Sequence, residues 1–289
     1  MKKKRGDAAT RRVGKNTPRR VSVSALATFP PITLLTDFGT EDYFVGAVKG
    51  AILSTNPAAR IVDITHDIPP HDVEAAAFTL LAAYQSFPPG TIHVAVVDPG
   101  VGSKRKALLI KSGGQFFIGP DNGIFSYVAR DDVAVFQLTN TEYFREEISQ
   151  TFHGRDVFAP VAAALSNGIA PEDLGQKTSD WVRLPALQPR VLRDGRLEGR
   201  IIHIDRFGNC VTNITRSEVS EKEIASGARL EVGTKRIDSF KHFYEEEPRR
   251  KGKAFAIWGS AGFLEIAAEN RSAADLLRVK RGDKVVLTI

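Results

Sequence analysis

The stretch Ile32-Thr-Leu-Leu-Thr36-Asp-Phe-Gly39-Thr-Glu-Asp-Tyr43-Phe-Val-Gly-Ala-Val48-Lys-Gly-Ala-Ile52 decides the fold. Its first five residues form an apolar run of strand length, which breaks at Asp37-Phe38-Gly39. From there Tyr43, Phe44, Ala47, Val48, Ala51 and Ile52 recur at spacings of three and four until Asn56-Pro57 ends the pattern. Strand, turn and helix are therefore predicted in that order. Residues 60–65 read as a second strand. Residues 72–86 place Val73, Ala76, Ala77, Leu80, Leu81 and Tyr84 on one helical face, closed by Pro88-Pro89-Gly90, and 92–97 read as a third strand. Strands separated by helices of this length are joined by crossovers, so the region predicts a parallel sheet of right-handed βαβ units.

Beyond Asp98 the period changes. Residues 107–111, 115–119 and 133–138 read as further strands and 155–166 as a helix, in which Pro160 must sit near the start or make a kink. Residues 181–194 carry two prolines, Pro185 and Pro189, and little periodicity, the marks of a linker. After them short apolar runs at 200–204, 228–232, 235–240, 255–258, 263–267 and 284–289 suggest a smaller, mostly-β domain. The 289 residues fit two domains: an N-terminal α/β domain over 31–185 and a C-terminal β domain over 186–289, preceded by a basic flexible leader over 1–30. There are no internal repeats.

The formal charge of +6 looks like a nucleic-acid signal until it is located. Residues 1–20 hold nine Lys or Arg and one acid, which leaves 31 basic against 33 acidic residues for the rest. The body is nearly neutral, so any nucleic-acid affinity would have to come through the leader alone. The apolar stretch after Arg19-Arg20 is short, is interrupted by Ser22, Ser24 and Thr28, and ends at Pro30-Pro31. It makes neither a secretion signal nor a membrane span, and cytoplasm is the expected compartment. The single cysteine, Cys210, excludes an internal disulfide and a cysteine-built metal site.

In a parallel α/β sheet, ligands bind at the carboxyl ends of the strands. Asp37 and Asp98 fall there, each followed by a Gly-containing turn. Taken alone, they either line a nucleoside crevice or only cap turns, as Asp commonly does. Phosphate-binding glycine motifs, metalloprotease histidine pairs and the nucleophile elbow are absent, which argues against a nucleoside triphosphate, a zinc centre and a serine hydrolase.

Five strings in order, Thr36-Asp-Phe-Gly39, Val97-Asp-Pro-Gly-Val-Gly102, Pro120-Asp-Asn-Gly123, Thr151-Phe-His-Gly-Arg-Asp-Val-Phe158 and Asp205-Arg-Phe-Gly-Asn209, are followed by Gly259-Ser-Ala-Gly-Phe-Leu-Glu-Ile266. Together they resemble the S-adenosylmethionine hydroxide adenosyltransferases, relatives of fluorinase and chlorinase, over residues 32–289. The resemblance implies an N-terminal α/β domain with a smaller C-terminal β-barrel-like domain. It also implies a homotrimer with substrate bound between subunits, and hydrolysis of S-adenosyl-L-methionine at C5′ to adenosine and methionine without metal or cofactor. It implies further that Asp98, Arg105 and His153 activate water, that Asp37 takes the ribose diol and Asp205 the methionine ammonium, and that Asn209 meets the adenine edge. Ser260 would lie near the amino-acid carboxylate or the base, while Phe152, Phe207 and Tyr244 would stack on the adenine or close the pocket. Gly154 stands where the halogenases carry a halide-pocket serine, and those relatives lack the Asp-Arg-His set, so water is the expected nucleophile; His71 stands where they carry a tryptophan, a departure in that wall of the pocket. The rival class is a non-catalytic S-adenosylmethionine or adenosine binding module. By local context alone Arg105, inside Lys104-Arg105-Lys106, reads as a solvated turn.

Overall fold

The computed structural model describes residues 30–244 and 253–289 and arranges them around two sheets. Positions 1–29 of the expected flexible leader lie outside the described residues. The N-terminal part runs β1 (Ile32–Thr36), α1 (Phe44–Thr55), β2 (Ile61–Thr65), α2 (Val73–Tyr84) and β3 (Ile92–Val96), in the predicted order. β1 and β3 are buried at every residue. Helices cover both faces of the sheet, so these strands read as unbroken apolar runs rather than as alternation. One helical prediction fails: Tyr43 is 68% exposed, because it precedes α1 as its cap and does not continue the buried stripe of Val48, Ala51 and Ile52.

After β3 the connections shorten and the sheet changes character. β4 (Ala107–Ser112) and β5 (Gln115–Pro120) form a hairpin around Gly113-Gly114, followed by β6 (Ala134–Leu138). A helical segment then leads through α3 (Ala159–Ser166) and the single turn α4 (Pro171–Leu174) to β7 (Gly175–Lys177). The strand order is β2-β1-β3-β5-β4-β6-β7. The predicted parallel pairing holds from β2 through β5, whereas β4, β6 and β7 are antiparallel additions. The short β4–β5 turn could join no other kind of pair. The helix expected over 155–166 starts with a π-helical turn, Gly154–Phe158, and becomes α-helical at Ala159, with Pro160 in its first turn. Pro160, which has no N–H to donate, follows directly on the π-helical turn, where the regular i→i−4 ladder is already interrupted.

The chain then crosses to the second sheet by a path pinned to the first. The Val182 N–H donates to Asp121 Oδ1 (2.7 Å) and the Leu184 N–H to Ser126 Oγ (2.7 Å), while Trp181 packs into the N-terminal core. β8 (Arg190–Val191), β9 (Leu197–Ile204), β10 (Cys210–Thr215), α5 (Glu221–Ala225), β11 (Arg229–Val232), β12 (Lys235–Ile237) and β13 (Phe240–Lys241) follow. β14 (Ala254–Trp258), β15 (Phe263–Ala268), α6 (Ala273–Leu277) and β16 (Lys284–Thr288) complete the chain. These strands form one sheet that curls until β12 meets β14, a nearly closed barrel. The two parts are locked by Arg200–Glu74 (2.6 Å) and Arg281–Asp72 (2.5 Å), and by Phe78 of α2 stacking on His203. No helix among the described residues is long and apolar enough to cross a membrane.

Candidate active site

The carboxyl ends of β1 and β3 open into a cavity of about 290 Å³ whose wall includes Asp37, His71, Asp98, Phe152, His153 and Gly154. Asp98 follows β3 and begins a tight turn, in which the Val101 N–H donates to the Asp98 carbonyl (3.2 Å). Gly102 takes the left-handed conformation at φ +77, and a Cβ there would sit 2.2 Å from the Gln150 carbonyl oxygen. Only glycine lets the 98–105 loop lie this close to the segment leading into His153.

That approach assembles a chain of three side chains. Arg105 Nε donates to Asp98 Oδ1 (2.8 Å) and its Nη2 to Asp98 Oδ2, a bidentate pair with both side chains at most 10% exposed. Arg105 Nη2 also reaches His153 Nδ1 (2.8 Å), Nη1 donates to the Lys106 carbonyl, and the guanidinium lies 5.3 Å from the Phe158 ring centre. The predicted solvated turn is therefore corrected for Arg105: Asp98 and His153, seven and 48 residues away in sequence, draw its side chain inward. A guanidinium has no acceptor, so His153 Nδ1 must accept, and the neutral ring carries its proton on Nε2. Burial, and then the neighbouring Arg105 charge, hold the His153 pKa below the ordinary histidine value, against the opposing pull of Asp98 and Asp156. The neutral imidazole is thus the resting form near neutrality, with one N–H to offer.

The rest of the wall is set by the turn after β1 and by the π-helical turn. Asp37 Oδ2 accepts from the His71 N–H (2.9 Å), and His71 itself is left-handed at φ 66. Asp37 Oδ1 accepts no hydrogen bond within the described residues. Phe152 meets Phe38 and Phe44 edge-on, with ring centres 5.9 and 5.3 Å apart, and Arg155 lies over its ring at 5.0 Å.

The C-terminal candidates form a second group, and none of them lines this cavity. Asp205 Oδ1 accepts from the N–H groups of Phe207 and Asn209 (both 2.9 Å), and Oδ2 accepts from Asn209 Nδ2 (2.9 Å). Asn209 Nδ2 also reaches Tyr244 Oη at 3.4 Å. At the tip of the turn Phe207 is 78% exposed, and Ser260 lies exposed in the turn between β14 and β15.

Two carboxylates escaped the sequence reading. Glu265 accepts no hydrogen bond within the described residues, and burial, then the Asp205 charge, pushes its pKa up. Its carboxylate underlies Gly259, where a Cβ would fall 1.7 Å from Oε1. The signal was the glycine pair flanking Ser260 on the turn into β15. Asp156 is fully buried. Burial pushes its pKa up, but Arg155 and the Ser149 N–H outweigh that and hold it below the usual range, tying the 145–149 loop to the π-helical turn. Among the described residues no group of three or more His, Cys, Asp or Glu is placed to hold a metal ion. Cys210 is buried, its thiol pushed up to about 12, and it is no nucleophile.

Family models match in two successive blocks, the SAM hydroxide adenosyltransferase N-terminal domain over residues 32–175 and its C-terminal domain over 199–286. The (R)-S-adenosyl-L-methionine hydrolase of Methanocaldococcus jannaschii is 38% identical, over 88% of this chain and 94% of that protein. The (R)-S-adenosyl-L-methionine hydrolase of Thermus thermophilus is 37% identical, over 89% and 99%. A fluorinase of Nocardia brasiliensis is more distant, 26% identical over 90% and 97%. A crystal structure of an uncharacterized conserved protein from Thermotoga maritima superposes with a TM-score of 0.81 at 36% identity, covering 89% of this chain and all of that one.

Proposed function

The chain belongs to the SAM hydroxide adenosyltransferase family, and we propose that it hydrolyses S-adenosyl-L-methionine at the ribose C5′. Water oxygen forms the new bond to C5′ as the C5′–sulfur bond breaks. The electron pair stays on sulfur, and the products are adenosine, methionine and one proton. The observation that carries this reading is the Asp98–Arg105–His153 chain, whose Asp98 and His153 line a cavity that also holds Asp37.

The leaving group is a neutral thioether, so no general acid is required. The demand is for an aligned water stripped of competing solvent. His153 offers Nε2–H to the water oxygen and the Arg105 guanidinium fixes the tautomer that makes this possible. Asp98 neutralises that guanidinium, and as the one carboxylate of the three it is the group that accepts the proton. No metal or cofactor enters this scheme. A Cβ at Gly154 would meet Phe152 and Phe38 at 3.5 and 3.6 Å, ordinary contact distances, so the site has room for a serine and simply lacks its hydroxyl. That supports water over halide as the nucleophile.

Asp37, with Oδ1 uncommitted, suits the ribose cis-diol. Asp205 and Glu265 form the negative locus for the α-ammonium, Asn209 reads the adenine edge, and Ser260 serves the amino-acid carboxylate or the base. Phe152, Phe207 and Tyr244 pack on the purine. The C-terminal group lies off the cavity of its own chain, which supports a homotrimer in which each cavity is completed by a neighbour's Asp205–Asn209 turn. The named hydrolase relatives act on the (R) sulfonium, and we assign the same configuration here. A single buried thiol fits the reducing cytoplasm as the compartment.

Purified protein incubated with (R)-S-adenosylmethionine in H₂¹⁸O, without metal or halide, should yield adenosine and methionine in equal amounts with one ¹⁸O in the adenosine 5′-hydroxyl. Bound but intact substrate would instead establish the binding-module alternative.

A further inference from the structure

The turn that presents Asp37 is held from behind by a buried hydrogen-bonded line. Thr36 is 1% exposed and His66 5%. Thr36 Oγ1 accepts from the Phe38 N–H (3.3 Å) and lies 2.8 Å from His66 Nδ1. The His66 carbonyl accepts from the Gly39 N–H (2.8 Å), so one residue holds the turn through both its side chain and its backbone. On the far side of the ring, Nε2 is 3.2 Å from Asp63 Oδ1, within ion-pair reach but off the line of an ideal hydrogen bond, and Asp63 Oδ2 accepts from Lys49 Nζ (2.6 Å).

A proton on Nε2, the side facing the Asp63 carboxylate, leaves Nδ1 to accept, and the Thr36 hydroxyl then donates to it while accepting from Phe38 N–H. We propose that His66 is a positioning residue for Asp37, acting through the Thr36 hydroxyl to fix the backbone between Thr36 and Gly39 at the angle that aims the Asp37 carboxylate into the cavity. The front of the same turn is fixed independently by the His71 N–H on Asp37 Oδ2. The carboxylate is thereby clamped between two points of the segment connecting β2 to α2. A loosened clamp weakens binding of the ribose in ground state and transition state alike, which raises KM and leaves kcat in place.

The inference rests on the cavity being the adenosyl site, and adenosine binding reads the two claims apart. Adenosine Kd by calorimetry, KM, kcat and Tm would be measured for the full chain and its variants. Thr36→Val removes the hydroxyl at constant shape and should raise both Kd and KM about tenfold with kcat within about threefold. Thr36→Ser should restore wild-type values, and His66→Asn, which keeps a polar atom near the Nδ1 position, should outperform His66→Leu. A folded Thr36→Val with wild-type Kd overturns the proposal, as does a loss confined to Tm or matched in kcat. Should Thr36→Val fail to fold, Asp63→Asn decides: this half-exposed change should raise Kd about twofold to threefold at unchanged Tm, and an unchanged Kd overturns the clamp. Wild-type protein that binds adenosine without hydrolysing S-adenosylmethionine refutes the hydrolase reading and leaves the clamp standing. Wild-type protein that binds no adenosine refutes both.

Discussion

The cavity at the ends of β1 and β3 and the turn from Asp205 to Asn209 are built on opposite principles. In the cavity, Asp98 and Arg105 are nearly buried, bonded to each other in a bidentate pair and linked to His153, so their geometry is set before any ligand arrives. The C-terminal turn organises itself locally through Asp205, carries its aromatic Phe207 into solvent, and lies near Glu265, which has no donor among the described residues. A water-activating set gains from prepaid ordering. In the trimer proposed above, the binding surface would meet its cavity across an interface, so that the reaction half stands complete in one chain and the recognition half is completed by a neighbour.

The sharpest way to break this contrast is to disable the preformed half. Asp98→Asn and His153→Ala should each lower kcat roughly a thousandfold while adenosine Kd stays within about threefold; equal losses in binding would mean that the cavity chain recognises substrate rather than activating water. The second effect is in pH. Because the His153 pKa is lowered, its neutral form persists into mildly acidic solution, and the acid limb of kcat should lie below the ordinary histidine value of 6.5. Protonating Nδ1 turns an acceptor into a donor facing Arg105, so kcat should fall about tenfold per pH unit below that limb. His153→Ala should abolish the limb. An acid limb above 6.5 would assign it to another group.

Phe207→Ala tests the C-terminal turn. It should raise KM about tenfold and weaken self-association in sedimentation experiments, with Tm of the isolated chain shifted by no more than about 2 °C. Unchanged KM and assembly would make Phe207 an idle surface ring. The smallest effect belongs to Tyr244→Phe, which loses one 3.4 Å contact with Asn209 and should change KM by no more than about threefold. A larger loss would make the hydroxyl a direct ligand of the substrate.

The sequence made the N-terminal crossovers legible because each strand and helix there has one periodicity and a clear stop, as at Asn56-Pro57 and Pro88-Pro89-Gly90. It hid β10. The run Cys210-Val-Thr-Asn-Ile-Thr215 alternates polar groups that a burial rule would place outside, yet Thr212 Oγ1 donates to the Leu264 carbonyl and Asn213 Nδ2 to the Leu187 carbonyl. Buried polar atoms are tolerated when partners distant in sequence satisfy them, and no local pattern reveals those partners. Arg105 was concealed for the same reason. Its flanking lysines describe a surface, and only the motifs around Asp98 and His153 pointed inward. Asp37 and Asp98 were visible by position alone, at strand ends, whereas the His66 support behind Asp37 lies within no recognised string.

The π-helical turn Gly154–Phe158 sets the aim of the side chains that precede it. Its wider i→i−5 spacing amounts to one residue more than a regular helix would use, and deleting that residue would draw Pro160, which has no N–H, into a regular i→i−4 ladder. Such a deletion would also rotate everything upstream by about 100° relative to α3. His153 and Phe152 would swing off the cavity. The irregular turn and the direction of one imidazole are thereby the same feature of the chain.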